Sequence, residues 1–154
     1  MTSSGVKVTD SLRVTYENFK MKKGTTKYRY LILKMSDDKS EIILEREEPA
    51  KAGSDPREDF ESFVEALPRD EARFILYDFH ATDINNAKQS RIVMITYVPD
   101  ASTMKDKMLF ASSKEALKKA LELNGKDYSV HDIAELTYEL AAENAGIKIL
   151  KTSK

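Results

Sequence analysis

Few side chains in this 154-residue sequence are equipped for catalysis. His80 and His131 are its only histidines, and neither lies at a metal-ligand spacing or beside a nucleophile motif. With no Cys there is no thiolate metal site, no cysteine nucleophile and no disulfide framework. The paired carboxylates Asp37/Asp38 and Glu47/Glu48 fall in hydrophilic stretches. The five glycines form neither G-x-x-x-x-G-K nor G-x-G-x-x-G, the patterns that cradle phosphate. This inventory argues for a non-enzymatic protein without a metal or cofactor.

The chemistry that stands out is that of binding, on a helix read from about Ala101 to Leu121. At about 100° per residue, Leu109, Phe110, Ser113, Ala116, Leu117, Ala120 and Leu121 cluster on one side as a core stripe. The other side carries Met104, Lys107, Met108, Ala111, Lys114, Glu115, Lys118 and Lys119, so two flexible thioethers stand among lysines on a face that should meet water. Such a face suits an acidic protein surface, because thioethers adapt to irregular contacts while charge steers the approach. The competing reading is a solvated face with two incidental methionines.

The elements that would position this face form one compact alternating domain spanning 1–154. Its length allows roughly two thirds of the unfolded surface to be buried. Val8, Leu12, Tyr16 and Phe19 have helical spacing after a Thr9 or Asp10 cap, and Gly24 ends that helix. Tyr28 to Met35 and Glu41 to Arg46 are β-rich runs joined by Ser36-Asp37-Asp38-Lys39, a hairpin, and Glu47 to Ser54 reads as a loop. Asp55 caps a helix with Pro56 in its first turn and Phe60, Phe63, Val64 and Leu67 as its buried stripe. Arg73 to Phe79 and Arg91 to Val98 are strands around a polar loop, Ala81 to Ser90. Tyr128 to Val130 is a short strand, and a last helix runs from Asp132 to Asn144. There Asp132 and Glu135 have capping-box spacing and Gly146 supplies the stop.

Formal charge is −1, so no global excess argues for nucleic acid. The interleaved Lys27-Tyr28-Arg29-Tyr30 is better explained by strand packing. Charge is nonetheless polarised. Residues 1–40 hold nine Lys/Arg against four Asp/Glu, whereas 41–71 hold four against eleven, a pattern that suits oriented partner binding. No apolar run approaches the ~18 residues of a membrane span, and the polar start lacks a signal-peptide core, so a cytoplasmic protein is expected.

In the order αββαββαβα these elements carry motifs that resemble the actin-depolymerising factor/cofilin family. Ser4-Gly5-Val6-Lys7-Val8 is similar to the family's SGV amino terminus, Lys27-Tyr28-Arg29-Tyr30 to its KYRY strand, and Leu76-Tyr77-Asp78-Phe79 to its YDF strand. After Pro99-Asp100, the run Lys105-Asp106-Lys107-Met108 followed by Ala111-Ser112-Ser113-Lys114-Glu115-Ala116-Leu117 resembles the K/R-x-K-M-x-Y/F-A-S-S-K-D-A-L signature, with Glu115 replacing Asp. The resemblance is colinear from about Ser4 to Asn144.

The resemblance implies an α/β (α+β) ADF-homology domain. Its mixed five-stranded central sheet would have helices on both faces, with a flexible N-terminal tail at 1–6 and a C-terminal tail at about 147–154. It implies a monomeric cytoplasmic protein of the actin cytoskeleton that binds actin monomers and filaments, prefers the ADP form, and promotes disassembly with severing. By position, Lys105, Lys107 and Met108 are monomer-site residues, flanked by Lys114, Glu115, Lys118 and Lys119, with Ser4, Gly5 and Val6 on the same surface. Ser4 aligns with a regulated serine, with Ser3 adjacent; phosphorylation would place about −1.5 to −2 charge beside the interface lysines. Phosphoinositide headgroups are expected to meet the same lysines. Filament contact is implied for Lys88, Arg91 and Glu143. Here the sequence departs from the pattern, because Gln89, Asn144 and Ile147 stand where basic residues are common, and fewer fixed cations should lower filament affinity. Lys148, Lys151 and Lys154 are candidate replacements. Tyr97 replaces a common Trp and reads as a core variation. The alternative is an ADF-homology adaptor that binds an actin-related assembly or phosphoinositides without depolymerising actin.

Overall fold

The computed structural model describes residues 6–21, 28–49, 55–123 and 128–149. The readings placed on Ser3, Ser4, Gly5, Gly24, Lys151 and Lys154 fall outside these residues. The elements are β1 (Lys7–Val8), α1 (Asp10–Met21), β2 (Tyr28–Met35), β3 (Glu41–Pro49), α2 (Pro56–Ala66), β4 (Arg73–Thr82), β5 (Lys88–Tyr97), α3 (Met104–Leu121), β6 (Tyr128–Val130) and α4 (Tyr138–Ala145). The sheet has six strands in the order β1-β3-β2-β4-β5-β6, not five. Its central pairs β3-β2, β2-β4 and β4-β5 are antiparallel, and β1 and β6 add parallel edges.

The extra strand is β1. Val8 does not open the first helix but pairs with Ile42, and Thr9 then caps α1 by accepting from the Leu12 N–H at 3.2 Å. The β2–β3 hairpin turns at residues 36–39 as its sequence predicts, with the Lys39 N–H donating to the Ser36 carbonyl and Lys39 at φ 63°. Strand β3 runs on to Pro49, so Glu47 to Pro49 belong to the sheet. Pairing of β4 with β5 likewise extends to Thr82 and Lys88, which shortens the expected loop to residues 83–87.

Strand alternation divides the core into two layers. Tyr30, Ile32, Ile75, Tyr77, Phe79, Val93, Ile95 and Tyr97 face α2 and α4. Leu31, Leu33, Met35, Phe74, Leu76 and Met94 face α1 and α3. Helices on both faces explain why the strands read as near-continuous apolar runs. Tyr97 is fully buried, as expected of a core variation. In α2 the Asp55 carboxylate accepts from the Glu58 N–H at 3.2 Å, and Phe60 and Phe63 pack into an aromatic cluster with Tyr30 and Tyr77.

The single last helix read from the sequence is two pieces. Asp132 and Glu135 do form a capping box, but it caps a 3₁₀ turn over Ile133–Glu135. Leu136 leaves helical geometry at φ −100°, ψ 79° and buries its side chain, and Thr137 caps α4 anew by accepting from Leu140 N–H. Gly146 ends α4 at φ 77°, a left-handed position that suits glycine. Beyond it Ile147 is buried and Ile149 packs on the same layer. Up to residue 149, then, the chain after α4 is held against the body of the fold.

Candidate binding surface on the long helix

Helix α3 owes its orientation to a few contacts. Thr103 caps it, accepting from the Asp106 N–H at 3.1 Å, so it starts three residues after the expected Ala101. Phe110, Ser113, Leu117 and Leu121 are buried against the sheet, with the Phe110 ring 4.8 Å from that of Phe74. Glu122 closes the helix in the left-handed region at φ 55°, and the Leu123 N–H donates to the Lys118 carbonyl at 2.8 Å. Lys39, from the β2–β3 turn, pairs with Asp106 at 3.4 Å and so ties the first turn of α3 to the hairpin. The same contact draws the one acidic side chain of that turn toward Lys39, leaving the Lys105 and Lys107 side cationic.

Anchored this way, α3 presents the outer face its sequence predicts. Met104 and Met108, one turn apart, are 68% and 66% exposed. Lys105, Ala111, Glu115 and Lys119 are exposed, and Lys107, Lys114 and Lys118 are half-buried. Lys107, Ala111 and Lys114 form one wall of a groove of about 310 Å³ whose other wall includes Val98, Ser129 and His131. His131 holds its place through its Nδ1, 3.1 Å from the Val98 carbonyl. Its part in this groove was not legible in the sequence, where it read as a lone histidine. His80 contacts Asp78 at 3.0 Å.

Val6 requires a correction. It was expected on the binding surface and in a flexible tail, yet it is 7% exposed and packs into the layer beneath α3. An apolar residue leading into a paired strand is worth more to the fold inside than outside. Its side chain therefore supports the α3 face from within.

The residues expected to contact the filament are also placed differently from expectation. Lys88 opens β5 and does not lie in the preceding loop, and Arg91, expected as the first residue of the strand, is its fourth. Three residues apart in a strand, they point to opposite faces. Arg91 shares its face with Val93 and Ile95, on the α4 side, whereas Lys88 shares that of Met94, on the α3 side. Both are exposed, as is Glu143 on α4. Gln89 is turned inward on its own hairpin, donating from Nε2 to Asp83 at 2.9 Å.

Among the described residues no cluster of three or more His, Asp or Glu could hold a metal ion, and no helix is long and apolar enough to cross a membrane.

Residues 5–145 match the family model for cofilin/tropomyosin-type actin-binding proteins. The chain is 36% identical over 145 residues to an actin-depolymerizing factor of Vitis vinifera, covering 93% of this chain and 94% of that protein. It is 32% identical over 143 residues to a cofilin of Schizosaccharomyces pombe, covering 93% and 96%. The fold superposes on the crystal structure of Plasmodium berghei actin depolymerization factor 2 with a TM-score of 0.80 at 26% identity, covering 95% of this chain and 99% of that one. The match to the family model takes in β1, the β2–β3 hairpin and the whole of α3, the elements that carry and support the exposed methionine-lysine face, and so this chain belongs to the cofilin/actin-depolymerising factor family of actin-binding proteins.

Proposed function

We propose that the outer face of α3 docks on the actin monomer, and that the protein binds ADP-actin in monomers and filaments and promotes filament disassembly, with severing. The observation that carries this reading is the pair Met104 and Met108, about two thirds exposed among lysines on a helix whose other side is locked into the core. Family membership supports actin as the partner. Apolar anchors ringed by charge are what a docking surface needs, since the anchors supply affinity and the lysines supply orientation and encounter rate. Disassembly follows from differential affinity: binding one filament state more tightly than the resting state shifts the filament toward it and weakens subunit contacts. No covalent chemistry is required.

Two regulatory readings rest on the same face. Ser4 is two residues before Val6, a reach of at most about 7 Å, and Val6 packs beneath α3. Phosphate there would compete for the interface lysines. Anionic phosphoinositide headgroups would compete in the same way. We place the protein in the cytoplasm as a monomer acting on the actin cytoskeleton. Co-sedimentation with filaments, together with pyrene-actin disassembly, tests the proposal. Pelleting with accelerated disassembly is the expected result. Binding without disassembly would favour an adaptor, and no binding to monomer or filament would overturn the reading.

A further inference from the structure

The first turn of α3 meets two electrostatic demands that conflict. A helix N-terminus favours a carboxylate, because its unpaired N–H groups carry partial positive charge, and Asp106 supplies one three residues after the Thr103 cap. A face that docks on an acidic partner needs cations instead, and Asp106 stands in sequence between Lys105 and Lys107. The β2–β3 turn answers both demands, since Lys39 Nζ reaches Asp106 Oδ1 at 3.4 Å. That turn is held around a single carboxylate. Asp38 Oδ1 accepts from Ser40 Oγ at 2.6 Å, from Ser36 Oγ at 2.8 Å and from the Ser40 N–H at 3.0 Å, which draws the Asp38 carboxyl below the usual carboxylate range. Lys39 itself lies in the left-handed region at φ 63°, uncommon outside glycine, and its N–H donates to the Ser36 carbonyl at 2.9 Å. The Ser40 carbonyl accepts from the Lys7 N–H at 2.9 Å, so β1 holds the turn as well. Lys39 and Asp106 border a polar groove of about 320 Å³ that Lys34, Asp37, Glu71 and Arg73 also line. Arg73 is engaged there by Glu45 and Glu71, each at 2.7 Å.

We propose that Lys39 is a positioning residue of the docking face: it holds the Asp106 carboxylate on the hairpin side of α3, out of the field that Lys105 and Lys107 present to actin, and does not itself touch actin. This rests on the reading of α3 as the monomer-docking face and adds a second element, the β2–β3 turn, to the way that face works. With the pair formed, the carboxylate still stabilises the helix start while a cation from another element compensates its charge. Without Lys39 the carboxylate is released within a Debye length of both lysines and of the acidic groups that would face them, and it subtracts from the field that steers and holds the partner. The side chains of the pair are 41% and 26% exposed, and exposed pairs add little to stability. The effect of Lys39 therefore belongs to binding and not to the fold. The brace around Asp38 orders the turn before docking, so holding Asp106 incurs no further loss of backbone freedom on association.

The test measures the affinity of the parent, Lys39→Gln, Lys39→Arg, Asp106→Asn and the Lys39→Gln, Asp106→Asn double variant for ADP-actin monomers at low and physiological salt, with thermal midpoints alongside. Lys39→Gln should weaken binding about three- to fivefold at low salt and less at physiological salt, with the midpoint little changed. Lys39→Arg should keep the parent's affinity, and Asp106→Asn should bind at least as tightly as the parent. Removing Lys39 should cost markedly less affinity in the Asp106→Asn background, because no carboxylate is left to release. If the parent binds and Lys39→Gln binds equally well at low salt, the inference is wrong and the α3 reading stands. An equal loss in both backgrounds would also overturn it, since Lys39 would then act on actin directly. So would a loss that follows a lowered midpoint and that Lys39→Arg does not rescue, since the pair would then act through the fold. If the parent itself does not bind ADP-actin monomers, the α3 reading falls and the inference falls with it.

Discussion

Replacing Met104 and Met108 together by Ala isolates the apolar part of the proposed α3 interface. The two side chains are 68% and 66% exposed, so a docked partner can withdraw about two thirds of each from water. Complete burial of a methionine side chain contributes about 1.5–3 kcal/mol, and the available fraction contributes roughly 1–2 kcal/mol per residue. Freezing a rotamer-rich side chain costs about 0.5–1.5 kcal/mol of that. The pair should therefore contribute about 1 kcal/mol net, roughly a fivefold weakening of Kd. Binding of the double variant to labelled ADP-actin monomers is the assay, repeated at higher salt, where this part of the loss should persist because apolar burial is not screened. The thermal midpoint should hold, as neither residue belongs to the core and Ala is the better helix former. Affinity within twofold of the parent would refute the reasoning and leave the methionines as incidental surface.

Other consequences follow from the same geometry. Because Arg91 points to the α4 side and Lys88 to the other, Arg91→Ala should weaken filament pelleting more than Lys88→Ala, with monomer affinity spared in both; equal effects would mean that the β5 faces do not separate the contacts. Ser4→Glu should lower monomer affinity and slow disassembly in the pyrene assay while Ser4→Ala stays active, and a Ser4→Glu protein that binds like the parent would remove charge regulation at this position. Alkali should unfold the protein. Burial, more than the nearby carboxylates, pushes the Tyr16 and Tyr128 phenols up to about 12 and raises Tyr77 as well, whereas unfolded phenols ionise near 10. Between those values the unfolded state holds fewer protons, so stability is full below about pH 10 and falls as pH rises toward about 12. Thermal midpoints measured through that window check it, and a flat profile would contradict the burial of these rings.

What the sequence revealed and what it hid divide along physical lines. Local signals were legible. Asp55 with Pro56 marked the start of α2, Ser36 to Lys39 marked the hairpin turn, and the two faces of α3 followed from its period. Signals that depend on distant pairing were not. Strand β1 is two residues long and exists only because β3 lies beside it, so Val8 read instead as the first turn of α1. The hairpin residues Lys88 to Ser90 are polar because that end of β5 extends beyond the β6 pairing, and polarity alone made them look like loop. The capping box at Asp132 was correctly found, but Thr137 carries a second cap five residues later, and the burial of Leu136 between them breaks the helix. At the candidate binding surface the methionines and lysines were readable from spacing. The inward turn of Val6, the Lys39 pair with Asp106 and the place of His131 in the groove needed the fold.

The central claim is that the cationic, methionine-bearing face of α3 binds actin. Its most direct test is the affinity of the parent and of a Lys105→Ala, Lys107→Ala double variant for ADP-actin monomers, measured at low and physiological salt. Lys105 is exposed and Lys107 half-buried at the rim of a groove, so the fold should survive, as unchanged circular dichroism and thermal midpoint would establish. The parent should bind with an affinity that falls as salt rises, and the folded double variant should bind at least about tenfold more weakly, with less of that salt dependence. A folded double variant that binds ADP-actin as tightly as the parent at both salt concentrations would contradict the account.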